Sequence, residues 1–199
     1  MEYLFLIIIL LFSVIIHEVA HGTMANNLGD PTAKYEGRLT LNPLKHLDPV
    51  GSVLLPLMLV IIRSPFLIGW AKPVPVNPYN LRNPKKDMAK IAIAGPAVNF
   101  LVAFFFALLI QFFVIPERFL IIFTFIIFIN ILLAVFNLLP VPPLDGSKIL
   151  FSFLPNRLEY IQTWMEQRSL FLFFIFLFLL MSGIIPLFQI VDSLVGLII

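Results

Sequence analysis

The chain of 199 residues contains no cysteine. Disulfides, thiolate metal sites and a cysteine nucleophile are therefore excluded, and any metal chemistry falls to histidine and carboxylate. Charge is scarce as well: 12% of the residues are Asp, Glu, Lys or Arg, where soluble domains carry about 25%. With 60% hydrophobic residues and a mean hydropathy of +1.03, a soluble globule is excluded and a polytopic membrane protein is expected. Its 22 phenylalanines cluster in runs such as Phe104-Phe105-Phe106 and Phe171 to Phe178, as lipid-facing helices require. A net charge of +2, without a basic patch interleaved with aromatics, gives no nucleic-acid partner and leaves lipid as the counterpart. There is no internal repeat and no low-complexity linker. The expectation is a single integral membrane domain over 1–199, with a core over about 1–152 and a C-terminal helical segment over about 153–199.

A helix crossing the ~30 Å hydrocarbon core needs about 20 apolar residues. Four stretches qualify: Tyr3 to about Ala25, Ile91 to Ile115, Phe119 to Leu139, and Leu170 to about Pro186. The first carries Glu2 and no Lys or Arg at its front, and reads as a retained span rather than a signal peptide. Val50 to Ala71 is apolar but interrupted by Pro56, Arg63, Pro65 and Gly69, so it either crosses or dips in and returns. Loops on the cytoplasmic side collect Lys and Arg. If Val50 to Ala71 does not cross, 12 of the 13 basic residues share one side and only Arg118 stands opposite. Four spans with both termini outside and a re-entrant segment inside are therefore expected. Leu187 to Ile199 then packs on the membrane or adds a short fifth element.

Two stretches read as extended. Arg38-Leu39-Thr40-Leu41 alternates polar and apolar residues and is closed off by Pro43, a strand or loop-hairpin pattern whose edge would accept an extended peptide by backbone hydrogen bonds. The alternating prolines of Trp70 to Pro78 forbid a helix there. The fold class expected is an all-α polytopic bundle of about four to six membrane segments, with a short membrane-associated β-hairpin or strand and a re-entrant loop.

Inside the first apolar stretch stands His17-Glu18-Val19-Ala20-His21. Residues four apart share one helix face, so His17 and His21 can grip one metal while Glu18 reaches a water held there. Ionisable groups at membrane depth cost roughly 2.5–3.5 kcal/mol each on insertion scales and mark function. Catalytic zinc takes three protein ligands, which leaves one to find. His46, Asp145, Glu159, Glu166 and Asp192 are the candidates. Topology favours Asp145, because a first and a third long span running the same way bring His17, His21 and the segment Asn137 to Asp145 to one depth. Pro140, Pro142 and Pro143 stop the helix and would present the carboxylate from an unwound stretch. An N-cap role for Asp145 explains that residue alone and not the histidines.

His17 to His21, Gly95-Pro96-Ala97-Val98-Asn99 and Asn137-x-x-Pro140-x-Pro142-x-Leu144-Asp145-Gly146 together resemble the site-2 protease family of intramembrane zinc metalloproteases. Arg38 to Pro43 and Gly69 to Pro78 resemble its compact prokaryotic branch, without PDZ or CBS domains. The resemblance covers most of Met1 to Ser152. It implies one Zn2+ per chain held by His17, His21 and Asp145, and Glu18 as general base and then acid. It further implies Asn137, and more weakly Asn99, near the substrate backbone or oxyanion, and Arg38, Leu39, Thr40 and Leu41 as the strand that receives substrate. His46 is assigned to packing in the membrane-associated loop.

The function so implied is endopeptidase cleavage in or beside transmembrane segments of membrane proteins, in a prokaryotic cytoplasmic membrane with the site near its cytoplasmic side. Two other readings compete: a divalent-metal transporter using the same His and Asp groups, and a catalytically silent membrane chaperone of the same fold. Glu18 discriminates, because transport has no need of a carboxylate beside the first ligand. Substrate identity, oligomeric state and trigger have no signature in the chain.

Overall fold

The computed structural model describes residues 2–62 and 71–199. Helix α1, Glu2–Asn27, carries the first apolar stretch. It ends because Gly29 takes φ +108°, a conformation that glycine adopts freely, while the Asp30 amide reaches back 2.9 Å to Ala25 O. A single-turn helix α2, Thr32–Tyr35, follows. A π-helical turn, Pro49–Leu54, is capped by the Asp48 side chain and feeds α3, Leu55–Ile61. Helix α4, Pro84–Phe112, opens on a proline, where the missing amide hydrogen is harmless, and runs 29 residues through Pro96. Helix α5, Glu117–Asn137, is the most uniformly apolar of the long helices. Pro140, Pro142 and Pro143 then hold the chain out of helix until α6, Asp145–Phe153. Helices α7, Glu159–Gln167, α8, Ser169–Met181, and α9, Leu187–Ile198, complete the chain.

Helix α4 is the hub of an all-helical bundle, packed on α1, α5 and α6, while α9 packs on α5. Small residues let the long helices approach: Ala103 and Ala107 of α4 lie buried with Ile127 and Ile131 of α5 and with Leu187 and Val191 of α9. The outer faces stay apolar, with Ile7, Leu101, Phe104, Phe105 and Ile121 among the exposed large side chains. A soluble monomer rarely shows such a surface; a lipid-embedded one requires it. Among the described residues, α1 from Phe5, α4 and α5 are long and apolar enough to cross a membrane.

Two expectations change, and part of a third lies outside the described residues. The fourth span, Leu170 to Pro186, is realised as α8 of only 13 residues, stopped by Ser182 and by Gly183 at φ +77°. It meets the segment Asn156–Gln167 at a bend of 73°, so only the bent pair together has the length of a span. Arg38-Leu39-Thr40-Leu41 forms no strand among the described residues, because its polar groups are used internally. Arg38 is buried and donates to Lys45 O, to Lys72 O at 2.6 Å and to Pro73 O at 3.1 Å, while Thr40 O accepts from His46 Nε2 at 2.8 Å. Lys72–Asn77, within the second stretch expected to be extended, does run without helix, and the chain just before it is joined to the earlier loop by a bridge between Leu47 and Ala71. Of the expected re-entrant segment, the portion with Arg63, Pro65 and Gly69 lies outside the described residues.

Candidate metal centre

His17 and His21 lie on one face of α1, one turn apart, with ring centroids 4.6 Å apart. Asp145, in the first turn of α6, comes between them: its Oδ2 stands 3.1 Å from His17 Nε2 and 3.0 Å from His21 Nε2. All three residues are buried, and their facing donor atoms lie within 4.8 Å of one another.

Glycine makes this approach possible at two points. A side-chain carbon at Gly95 would overlap His21 Nε2 and come within 2.6 Å of both Cε1 and Nε2 of His17. A carbon at Gly146 would run into the backbone carbonyls of Leu138 and Leu139, so the α5–α6 turn could not close and Asp145 would be displaced. The motif glycines of both segments thus answer to space rather than to backbone conformation.

The hydrogen-bond partners settle which ring nitrogens face the centre. His21 Nδ1 sits 2.7 Å from Ile91 O, an acceptor, and so carries the hydrogen. His17 Nδ1 sits 2.5 Å from Asn99 Oδ1, likewise an acceptor. In the neutral rings both Nε2 atoms are then lone pairs, and they converge on a carboxylate oxygen that also has none to donate. A carboxylate oxygen about 3 Å from two nitrogen lone pairs is repelled by both unless a proton or a metal cation lies among them. Two imidazoles and one carboxylate, with the outer nitrogens held by second partners, is the donor chemistry of a catalytic zinc site. The residues fit the metal.

Glu18 is half-buried and borders the same cavity of about 340 Å³. Its Oε2 accepts from the Val74 amide at 2.7 Å. That amide belongs to the extended segment Lys72–Asn77, which two buried charges hold in place. Arg38 grips the Lys72 and Pro73 carbonyls. Asp30 accepts from the Asn77 amide at 2.6 Å, from Asn80 Nδ2 at 2.8 Å and from both the amide and the hydroxyl of Thr32. Burial works against the Asp30 carboxylate, but the hydrogen bonds from Thr32, Asn80 and Asn77 outweigh it and lower its pKa below the usual 3.8.

Asn137 lines the cavity, with Nδ2 donating to Leu133 O at 2.9 Å and a second amide hydrogen to spare. Asn99 does not line it. It is fully buried behind His17, its polar atoms occupied by His17, Asn130 and Ser13, so the expected substrate contact is replaced by a contact to the ring. Arg38 to Leu41 likewise lie outside the cavity wall, and of them Arg38 acts on it through Lys72 and Pro73. His46 is fully buried away from the metal group, as a packing role requires. The sequence reading missed Lys148, whose Nζ lies 3.2 Å from Asp145 Oδ1. It also missed Val74, Asn130 and Ser13. Asn130 did leave a signal, as a lone carboxamide in the middle of an apolar helix.

Comparison with known proteins agrees with this geometry. The family model for peptidase family M50 matches residues 115–181. YwhC of Bacillus subtilis, named as an inferred zinc metalloprotease, is 38% identical over 191 residues, covering 90% of this chain and 82% of its own. Rip2 of Mycolicibacterium smegmatis, named likewise, is 33% identical over 138 residues, or 68% of this chain and 52% of its own. A zinc metalloprotease of Methanocaldococcus jannaschii is 28% identical over 159 residues, 79% of this chain and 37% of its own. No solved structure matches.

Proposed function

This chain belongs to peptidase family M50, the site-2 protease family, and we propose that it is a zinc-dependent endopeptidase acting on peptide bonds in or beside transmembrane segments. His17, His21 and Asp145 hold one zinc ion, and Glu18 carries the proton. The observation that carries this reading is the convergence of two Nε2 lone pairs and one carboxylate beside Glu18, among helices whose outer faces suit lipid.

Zinc held there would supply Lewis acidity and would lower the pKa of a bound water far below its bulk value, to about 7. The chain's own groups do the rest. Val74 N–H holds Oε2 of Glu18, which leaves Oε1 to take a proton from the attacking water and to return it to the leaving amine nitrogen. The spare amide hydrogen of Asn137 is available to the substrate carbonyl or the oxyanion that grows from it. Lys148 partly balances the charge of Asp145 without competing for Oδ2. A substrate helix keeps its carbonyls bonded internally and must unwind before it reaches the cavity. The excess of basic residues on one side supports a site near the cytoplasmic face of a cytoplasmic membrane.

The test is a Glu18→Gln variant reconstituted with a single-span substrate peptide. Proteolysis should fall by about 10²–10⁴-fold, as loss of a general base does, while zinc measured by mass spectrometry stays at one per chain. Unchanged cleavage would refute the mechanism. Zinc bound and transported across vesicles, with no cleavage by the native chain, would favour the transporter instead.

A further inference from the structure

A chain of hydrogen bonds runs between α1, α4 and α5, and its direction is set at the end farthest from the metal group. Asn130 Nδ2 lies 2.9 Å from Ile126 O, a backbone carbonyl that can only accept, and 3.0 Å from Ser13 Oγ. The nitrogen side of that carboxamide is thereby fixed. Asn130 Oδ1 must face the other way, where it accepts from Asn99 Nδ2 at 2.8 Å. A second backbone carbonyl, Ser13 O, takes the other hydrogen of Asn99 Nδ2 at 3.3 Å. All four amide hydrogens of the two asparagines are now used. Asn99 can offer His17 Nδ1 only its oxygen, at 2.5 Å. The hydrogen of His17 must sit on Nδ1.

A histidine takes whichever tautomer the partner of its other nitrogen dictates. His21 receives that instruction directly, from Ile91 O. At His17 Nδ1 the α4 side chain of Asn99 takes the place that a backbone carbonyl has at His21, and a carboxamide can turn over unless something holds it. Asn130 Oδ1 holds it at 2.8 Å, with the longer contact to Ser13 O at 3.3 Å acting in the same sense. Both asparagines are fully buried, so a reversed amide would set hydrogen against hydrogen in a low-dielectric interior.

We propose that Asn130 of α5 is a positioning residue for the metal group, holding His17 in the Nε2-presenting tautomer through Asn99 without touching His17 itself. The inference rests on the reading of His17 as a ligand. It assigns α5 a share in metal affinity that interhelical adhesion alone would not give it.

The experiment uses the full chain in detergent micelles. Asn130→Leu keeps the volume and removes the oxygen. Zinc affinity by chelator competition should weaken about tenfold, the lower end of the 10–100-fold usual for partners of metal ligands. Asn130→Asp, which keeps an oxygen toward Asn99, should recover most of that loss. A ¹⁵N-histidine spectrum of the metal-free chain at alkaline pH should place the His17 hydrogen on Nδ1, and Asn130→Leu should move part of it to Nε2. With three histidines in the chain, His17→Ala assigns the signal.

A folded Asn130→Leu chain with native zinc affinity and an unchanged tautomer overturns the proposal. If that variant does not fold, the native spectrum decides alone, since a His17 hydrogen on Nε2 is incompatible with the relay. A native chain that binds no zinc would overturn the reading of His17 as a ligand, while the spectrum would still judge the relay.

Discussion

The two walls of the cavity beside His17, Glu18 and His21 are held by opposite means. On the helical wall, His17 and His21 are fixed by neutral groups: the carboxamides of Asn99 and Asn130, the Ser13 hydroxyl and the carbonyl of Ile91. On the wall formed by Lys72–Asn77, the work falls to ionised groups, Arg38 and Asp30, each bonded to several backbone atoms. The difference follows from surroundings. Between three apolar helices a charge is expensive and a saturated amide network is not. An extended segment has no internal ladder, so its carbonyls and amides need outside partners, and charge-assisted bonds are the strongest available. One wall sets His17 and His21, the proposed metal ligands, and the other sets Glu18. They should therefore fail differently.

The sharpest break is expected at Gly95. Gly95→Ala pushes a carbon into both imidazoles; overpacking of about 1–3 kcal/mol corresponds to a loss of about 5–150-fold in zinc affinity. Chelator competition would show it, with proteolysis falling in step. Zinc affinity at the native level would mean that the rings have room that the structure does not show.

Arg38→Met should do the reverse. Hydrogen bonds to charged groups contribute about 1.5–3 kcal/mol each, so Lys72 and Pro73 come loose and Val74 no longer steadies Glu18. Cleavage should drop by about tenfold, the equivalent of 1.36 kcal/mol, with little change in zinc affinity. If affinity fell in parallel with cleavage, the two walls would not be separable.

The smallest effect is expected from Asp30→Asn. Because the pKa of Asp30 is lowered in the folded chain, its contribution is present above 3.8 and is lost as pH falls through the lower folded value. Amide exchange at Asn77 should be faster in the variant than in the native chain near neutral pH, and the gap should close on acidification. A gap that persisted in acid would show that the Asp30 charge plays no part.

Much of the helical wall was legible from residue order. The long apolar helices begin and end within a few residues of their expected places, except that α4 starts well before Ile91, at Pro84, where the proline is tolerated. The His-Glu-x-x-His spacing puts two imidazoles on one face by helix geometry alone, and parallel passage of α1 and α5 delivers Asp145 to their depth. On the other wall the prolines gave the extended course of Lys72–Asn77, but not what holds it. Alternation at Arg38 to Leu41 suggested an edge, but a buried guanidinium turned that segment into an anchor for the next one. The fourth span was read too long because apolar composition continues past Ser182, whereas Gly183 bends the backbone away.

The order of residues by itself determined that this chain is a helical membrane protein with two histidines on one face of its first helix, since periodicity and hydropathy are local properties. Only the tertiary structure decided which groups stand behind that face. Ser13, Asn99 and Asn130 are separated by dozens of residues and share no spacing rule, so their relay exists only once three helices have packed. Hydrogen-bond direction is a property of the assembled network, anchored for His17 at the Ile126 and Ser13 carbonyls and set for His21 directly by the Ile91 carbonyl, and it tells each imidazole which nitrogen to present.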